Sequence, residues 1–225
     1  SQDRITYKRV GIIDPLSISD YEAHGGFVGL TKAKQMSGAE IVAEVTESGL
    51  RGRGGAGFPA GIKWKTVLDA KSDQKYICCN ADEGDSGTFA DRILMEGDPF
   101  TLIEGMAIAA LAVGATKGFI YIRSEYPAAI SKMEKAIEVA SEKLGSFELK
   151  VRVGAGSYVC GEETAMLESI EGKRGVVRAK PPLPALEGLF GKPTIINNVL
   201  TLASVPEIIA SGAASYKARG VGKSL

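Results

Sequence analysis

The stretch KGFIYIRSEYPAAISKMEKAIEVASEKLGSFELKVRV, residues 117–153, decides the fold class. It opens on the apolar run Lys117–Ile122, which reads as a strand. Pro127 then starts a helix whose Ile130, Met133, Ile137, Ala140 and Leu144 form one stripe ending at Gly145. Phe147, Leu149, Val151 and Val153 alternate with Glu148, Lys150 and Arg152, the pattern of a half-exposed strand. Upstream, residues 75–80 read as a buried strand. Asp98-Pro99 opens a helix with Ile103, Met106, Ala107, Ala110 and Leu111 on one face and Gly114 after it. Strand, helix, strand, helix, strand implies an α/β domain with a parallel sheet and right-handed crossovers.

Working outward, the first 35 residues have weak periodicity and read as an irregular lead-in with a short turn around Ser19–Glu22. Ser37-x-x-Glu40 is a capping-box pattern that starts a helix of about three turns. A glycine loop, 49–61, and a short segment around Trp64–Leu68 follow. Beyond the third strand a second glycine-bearing turn, 154–161, leads into a helix near Glu162. A proline-rich segment, Lys180–Pro184, then precedes Asn197-Asn198 and a last helical stretch. The expected organisation is a lead-in over 1–35, an α/β domain over 36–210 and the start of a linker over 211–225.

Across 225 residues, 27 basic and 27 acidic side chains cancel. That balance argues against non-specific nucleic-acid binding, which needs a basic excess, and against a polybasic membrane surface. No run of about 18 apolar residues and no signal-peptide pattern occurs, so direct membrane insertion is not expected. The three cysteines, Cys78, Cys79 and Cys160, lack CxxC spacing. They point to a reducing, cytoplasmic compartment and provide no metal site in this chain. Cys78 and Cys79 read as small core hydrophobes. The zero total hides a net −4 over residues 1–112 and +4 over 113–225. Acids gather in Asp82, Glu83, Asp85, Asp91, Glu96 and Asp98, and bases in Lys173, Arg174, Arg178 and Lys180. Each run reads as a solvated face, but the acidic one directly follows a strand.

Glycine is the outlying residue type, with 28 in the chain and Gly49, Gly52, Gly54, Gly55, Gly57 and Gly61 in one loop. Gly52–Gly57 matches G-x-G-x-x-G, yet a helix precedes it and no Gly-Lys-Ser/Thr ending follows. Neither a standard Rossmann fingerprint nor a P-loop fits that context. Two readings stay open. The loop either brings bare backbone N–H groups to a flat or phosphorylated ligand, with Arg51, Arg53, Lys63 and Lys65 supplying positive charge, or it is a flexible surface loop. Glu162-Glu163 at a helix start likewise either complements the helix dipole or serves a site. His24, the single histidine, reads as structural or solvated, which leaves Ser–His and Cys–His nucleophilic schemes unsupported.

Five motifs occur in order. They are Ser48–Trp64 (SGLRGRGGAGFPAGIKW), Asn80–Asp85 (NADEGD), Glu96–Pro99 (EGDP), Gly154–Thr164 (GAGSYVCGEET) and Gly191–Val199 (GKPTIINNV). Together they resemble the NADH-binding, FMN-containing flavoprotein subunit of respiratory complex I. The same module occurs in NAD-dependent formate dehydrogenases (the beta, or diaphorase, subunit) and in NAD-reducing hydrogenases. Asp82–Arg92 and Tyr121–Pro127 look nearer to the formate dehydrogenase and soluble hydrogenase branch.

The resemblance implies a parallel-sheet, Rossmann-like flavin- and nucleotide-binding core. It implies FMN as cofactor and NAD(H) as substrate. Gly52, Arg53, Gly54, Gly55 and Lys63 match the loop over both. Asn80, Asp82 and Glu83 match residues lining the flavin, as do Tyr158, Gly161 and Glu162. Asn197, Asn198 and Thr201 match positions near its phosphate and ribityl chain. Phe58 matches the aromatic that stacks on adenine, Lys180 a basic nucleotide contact, and Asp85 and Glu163 acids that line the NADH pocket. No acid–base residue is implied, because hydride transfer needs only the nicotinamide stacked on the flavin.

Three positions depart from complex I: Asp85 replaces Glu, Thr66 an aromatic, and Leu183 Phe. The family also continues through a ubiquitin-like domain to a helical domain binding a [4Fe–4S] cluster, and that cluster is expected only there. The expectation is therefore the flavin core of a larger chain, or a shortened form of one. Its expected partners are a small thioredoxin-like [2Fe–2S] subunit and an iron–sulfur or catalytic subunit of a redox complex. A non-catalytic nucleotide-binding or scaffold module is the alternative.

Overall fold

The computed structural model of the chain describes residues 5–52, 57–81, 86–154, 163–173 and 183–221; at 86–88, 164, 220 and 221 it describes the backbone alone. Four strands, β1 (Tyr76–Ala81), β2 (Lys117–Arg123), β3 (Glu148–Gly154) and β4 (Thr194–Asn198), form one sheet in the order β3-β2-β1-β4. Every neighbouring pair is parallel, as the strand–helix alternation predicts. The first three strands are those read from the sequence. β4 is an addition: five residues ending in two asparagines carry too little alternation to announce a strand.

Helices α1 (Ile18–Ala23), α2 (Val28–Ala33), α3 (Gly38–Glu47) and α4 (Ala60–Asp69) precede the sheet. α5 (Ser86–Gly97) and α6 (Pro99–Val113) join β1 to β2, and α7 (Pro127–Val139) with α8 (Ser141–Leu144) joins β2 to β3. α9 (Glu163–Ile170) and α10 (Pro184–Glu187) lie between β3 and β4, and α11 (Val199–Ser211) and α12 (Ala213–Val221) follow. Ser37 and Glu40 form the expected capping box, with reciprocal bonds of 3.1 and 2.9 Å. Pro99 and Pro127 occupy first-turn positions, where a missing N–H costs nothing. The stripe read through Leu144 breaks at Ala140, whose φ/ψ of −85°/3° separates α7 from α8.

Strand alternation sorts the core onto two faces. Ile77, Cys79, Ile120, Ile122 and Ile195 join the larger cluster with α6, α7 and α11. Tyr76, Cys78, Phe119, Tyr121 and Ile196 face the other way, against Met166, Leu167 and Ile170 of α9. Within α6 only Leu111 is exposed, which makes it the central core helix. Cys78 and Cys79 are fully buried, consistent with their reading as core residues, and burial pushes the Cys78 thiol up. Cys160 lies outside the described residues.

The lead-in differs from expectation. It holds α1 and α2, which bury Tyr21, Phe27, Leu30 and Ala33 in the core and are also tied down by an acid. Glu104, buried in α6, accepts hydrogen bonds from Tyr21 Oη (2.6 Å), Phe27 N (2.8 Å) and Leu30 N (3.0 Å). Phe27, at φ 63°, packs edge-on against Tyr21 with ring centroids 5.0 Å apart. Of the stretch 211–225, expected to begin a linker, the described part to 221 holds α12, which packs against α3 and α11 with Tyr216 buried.

The acidic run is divided too. Asp98 does not cap α6 with its side chain; it accepts from Thr101 Oγ1 and lies 3.9 Å from Arg9 Nη1, fully buried, with Oδ1 unpartnered. Burial lifts its pKa from 3.8 to about 6, against the opposing pull of Thr101 and Arg9. The folded chain thus holds this proton more tightly than the unfolded chain does. The stability it contributes is full below about pH 4 and is lost as pH rises through about 6. Asp98→Asn is expected to flatten the fall in melting temperature across that window, which thermal scans of both chains at matched pH values would measure. Equal slopes would refute it.

Candidate functional site

In an open parallel sheet, ligands settle outside the carboxyl ends of the strands, at the point where the strand order reverses. Here β1 leads to β2 and β3 on one side, and the chain returns to β4 on the other. The reversal point is therefore the crevice between β1 and β4. Asn80 and Asn198 are register partners at its mouth and share a sheet face, while Asn197, paired with Cys79, lies on the opposite one.

β4 runs into α11 without a loop. Asn198 is the N-cap: its Oδ1 accepts from Thr201 N at 2.8 Å. The first turn of α11 thereby brings backbone N–H groups and the positive end of the helix dipole to the crevice. Thr201, fully buried, donates through Oγ1 to Arg51 O at 3.2 Å and so ties this helix start to the glycine loop.

The loop is closed at its neck. Gly52 N donates to Phe58 O (2.8 Å), Ala60 N to Leu50 O (2.9 Å) and Arg51 Nη1 to Gly57 O (2.9 Å). An isolated antiparallel bridge joins Arg51 to Pro59. These bonds order the two stems, 50–52 and 57–60; the loop between them, 53–56, lies outside the described residues, so both readings of the loop stay open. α4 starts at Ala60, directly after it.

The outer wall is aromatic and charged. Phe58 is 46 % exposed and Lys63 Nζ lies 5.7 Å from its ring centroid. The same Nζ is 3.6 Å from Glu163 Oε1, at the first residue of α9. Both charges are partly solvated, so the pair adds little stability. Its value is positional: it brings the second glycine motif's acid beside the first glycine loop.

Of the residues expected at the site, Gly52, Phe58, Lys63, Asn80, Glu163, Asn197, Asn198 and Thr201 are described. Contacts link Gly52 to Phe58, Phe58 to Lys63 and Lys63 to Glu163, and Asn80 to Asn198 by strand register. Arg53, Gly54, Gly55, Asp82, Glu83, Asp85, Tyr158, Gly161, Glu162 and Lys180 lie outside the described residues. Thr66 turns its hydroxyl back to Ile62 O at 3.0 Å, and Leu183 is 61 % exposed. One residue was missed. Trp64 is fully buried and donates from Nε1 to Asn197 Oδ1 at 3.0 Å. Its signal was available, since it is the only tryptophan and closes the glycine motif. Among the described residues, no group of three or more His, Cys, Asp or Glu could hold a metal ion, and no single helix is long and apolar enough to cross a membrane.

Comparison with known proteins agrees with this geometry. A family model described as the Nuo51 FMN-binding domain matches residues 45–207. The NADP-reducing hydrogenase subunit HndC of Solidesulfovibrio fructosivorans is 52 % identical, over 99 % of this chain and 47 % of its own. An NADH-quinone oxidoreductase subunit of Rhizobium meliloti is also 52 % identical, over 97 % of this chain and 54 % of its own. A solved NAD+-reducing [NiFe]-hydrogenase, in the H2-reduced state, superposes with a TM-score of 0.73 at 42 % identity, over 82 % of this chain and 32 % of that one. The chain spans about half the length of the curated relatives it matches.

Proposed function

Because the chain belongs to the Nuo51 FMN-binding domain family, we propose that it holds FMN in the β1–β4 crevice and exchanges hydride between that flavin and NAD(H). The supporting observation is the crevice itself: a strand-order reversal where a helix N-terminus and a clasped glycine loop meet. The residues suit such a ligand. Both tandem asparagines spend Oδ1 on internal donors, so Nδ2 of each remains a donor for phosphate, ribityl or ring oxygens. Gly52 admits close backbone approach, and Lys63 adds a cation. Bound FMN would supply the chemistry, taking two electrons with a hydride and releasing them singly.

The chain's own residues bind and orient. Phe58 offers an exposed ring face for adenine, and Glu163 would accept ribose hydroxyls and repel a 2′-phosphate, favouring NAD(H). Arg53, Gly54, Gly55, Asn80, Asp82, Glu83, Tyr158, Gly161, Glu162, Asp85 and Lys180 complete the proposed site through the family resemblance. The proposal extends to the assembly: electrons leave for iron–sulfur subunits of a larger cytoplasmic redox complex of hydrogenase, complex I or formate dehydrogenase type. The named relatives, subunits of hydrogenases and NADH-quinone oxidoreductases, support it.

The test is reconstitution. The purified chain is expected to take up FMN stoichiometrically, to bleach when NADH is added without oxygen, and to reduce ferricyanide with NADH. No bound flavin would overturn the reading. FMN bound without bleaching would select a non-catalytic nucleotide-binding module, which the Thr66 and Leu183 surfaces favour because neither supplies an aromatic face. Phe58→Ala is expected to raise KM for NADH about fivefold to thirtyfold while FMN affinity stays unchanged, since stacking contributes roughly 1–2 kcal/mol.

A further inference from the structure

Asn197 has an unusual position for a ligand-binding amide. It is 5 % exposed, on the core face of β4, among apolar neighbours such as Ile195. A buried carboxamide is tolerated only when its polar atoms are satisfied. The indole of Trp64 satisfies one of them, through a hydrogen bond of 3.0 Å that spans 133 residues. Indole N–H is a donor only, so the amide atom facing it must be the oxygen. The flip of the Asn197 amide is thereby fixed, and Nδ2 has no partner among the described residues.

We propose that Trp64 is a positioning residue: its indole N–H locks the Asn197 carboxamide so that Nδ2 serves as a donor to an acceptor atom of the ligand at the carboxyl end of β4. The inference rests on the flavin reading for the identity of that ligand. Trp64 touches no ligand in this scheme and acts through Asn197 alone. Its place on α4, one turn after the loop neck, also couples the amide's orientation to that neck.

The test is a double-mutant cycle on the full chain, with FMN affinity read by flavin fluorescence. Trp64→Phe keeps an aromatic and removes the donor; it is expected to weaken FMN binding about fivefold to tenfold. Asn197→Ala should lose at least as much, and the double variant no more than Asn197→Ala alone. Asn197→Asp keeps the acceptor for the indole but has no donor, so it should bind FMN as poorly as Asn197→Ala. Additive losses in the cycle would overturn the proposal.

A second readout does not depend on how Trp64→Phe folds. The single indole gives one 15N–1H resonance, and Asn197→Ala is expected to shift it and speed its hydrogen exchange, whereas Asn197→Asp, which keeps an acceptor, should leave its exchange slow. An indole signal indifferent to Asn197→Ala would overturn the contact. A wild-type chain that binds no FMN would overturn the flavin reading and Trp64's role toward that ligand. That failure is distinguishable, because the indole signal would still respond to Asn197→Ala.

Discussion

Glu104→Ala is expected to lower the stability of the chain by about 3–5 kcal/mol, which is the range for removing one side of a buried charged network. The carboxylate gathers three donors from two short helices, Tyr21 Oη, Phe27 N and Leu30 N. Alanine would leave all three buried without an acceptor, at about 1–3 kcal/mol for each that fails to find another. α1 and α2 have six residues each, too few to persist without tertiary anchoring. Glu104→Gln should fall between, because the amide nitrogen cannot accept. Thermal and urea unfolding followed by circular dichroism would measure both. A shift for Glu104→Ala of only about 2–4 °C, roughly 1 kcal/mol at this size, would show that the network does not anchor the lead-in.

Gly61→Ala is expected to damage fold and site together. A Cβ on Gly61 would lie 2.1 Å from Thr46 Oγ1 and 2.7 Å from Thr46 Cα. The second atom is backbone, so a rotamer change cannot relieve the clash; α3 and α4 must separate. Overpacking of this kind costs about 1–3 kcal/mol. α4 carries Lys63 and Trp64 and begins at the loop neck, so its displacement moves the residues that line the crevice. Gly61→Ala should therefore weaken FMN binding by on the order of tenfold to a hundredfold, even at temperatures where the chain stays folded. Gly57→Ala is not a control, because its φ of 54° strains any side chain. Lys135→Ala is one: Lys135 is exposed on α7, in the connection from β2 to β3, and FMN affinity should hold. Equal FMN affinity in Gly61→Ala and wild type would sink the claim.

The parallel sheet and its helices were legible where the sequence carries a period. Lys117–Arg123 and Glu148–Gly154 are apolar or alternating, and proline marks the starts of α6 and α7. The lead-in helices were not legible, because they are too short to show a period, and part of what holds them is a carboxylate some 74–83 residues away, which no local pattern encodes. α5 was hidden by its acids, some of which are structural: Asp91 is buried, and Glu96 faces Arg92 at 3.9 Å. β4 was hidden by its length. The candidate site divided the same way: motif order pointed to Asn197, Asn198 and Thr201, which the fold places at the end of β4 and the start of α11. The Trp64–Asn197 contact needed coordinates, because a buried tryptophan in a helix reads as core.

The crevice also has a place in time. The contacts that complete it join residues 133 and 150 positions apart, Trp64 to Asn197 and Arg51 to Thr201. A ribosome adding about 5–20 residues per second takes on the order of ten seconds to cover that distance. Until β4 and the first turn of α11 emerge, the glycine loop has no wall to clasp and β1 keeps an open edge. Cofactor capture by the proposed site therefore waits on β4 and the first turn of α11, and until they emerge the edge of β1 stays open to pairing with another strand.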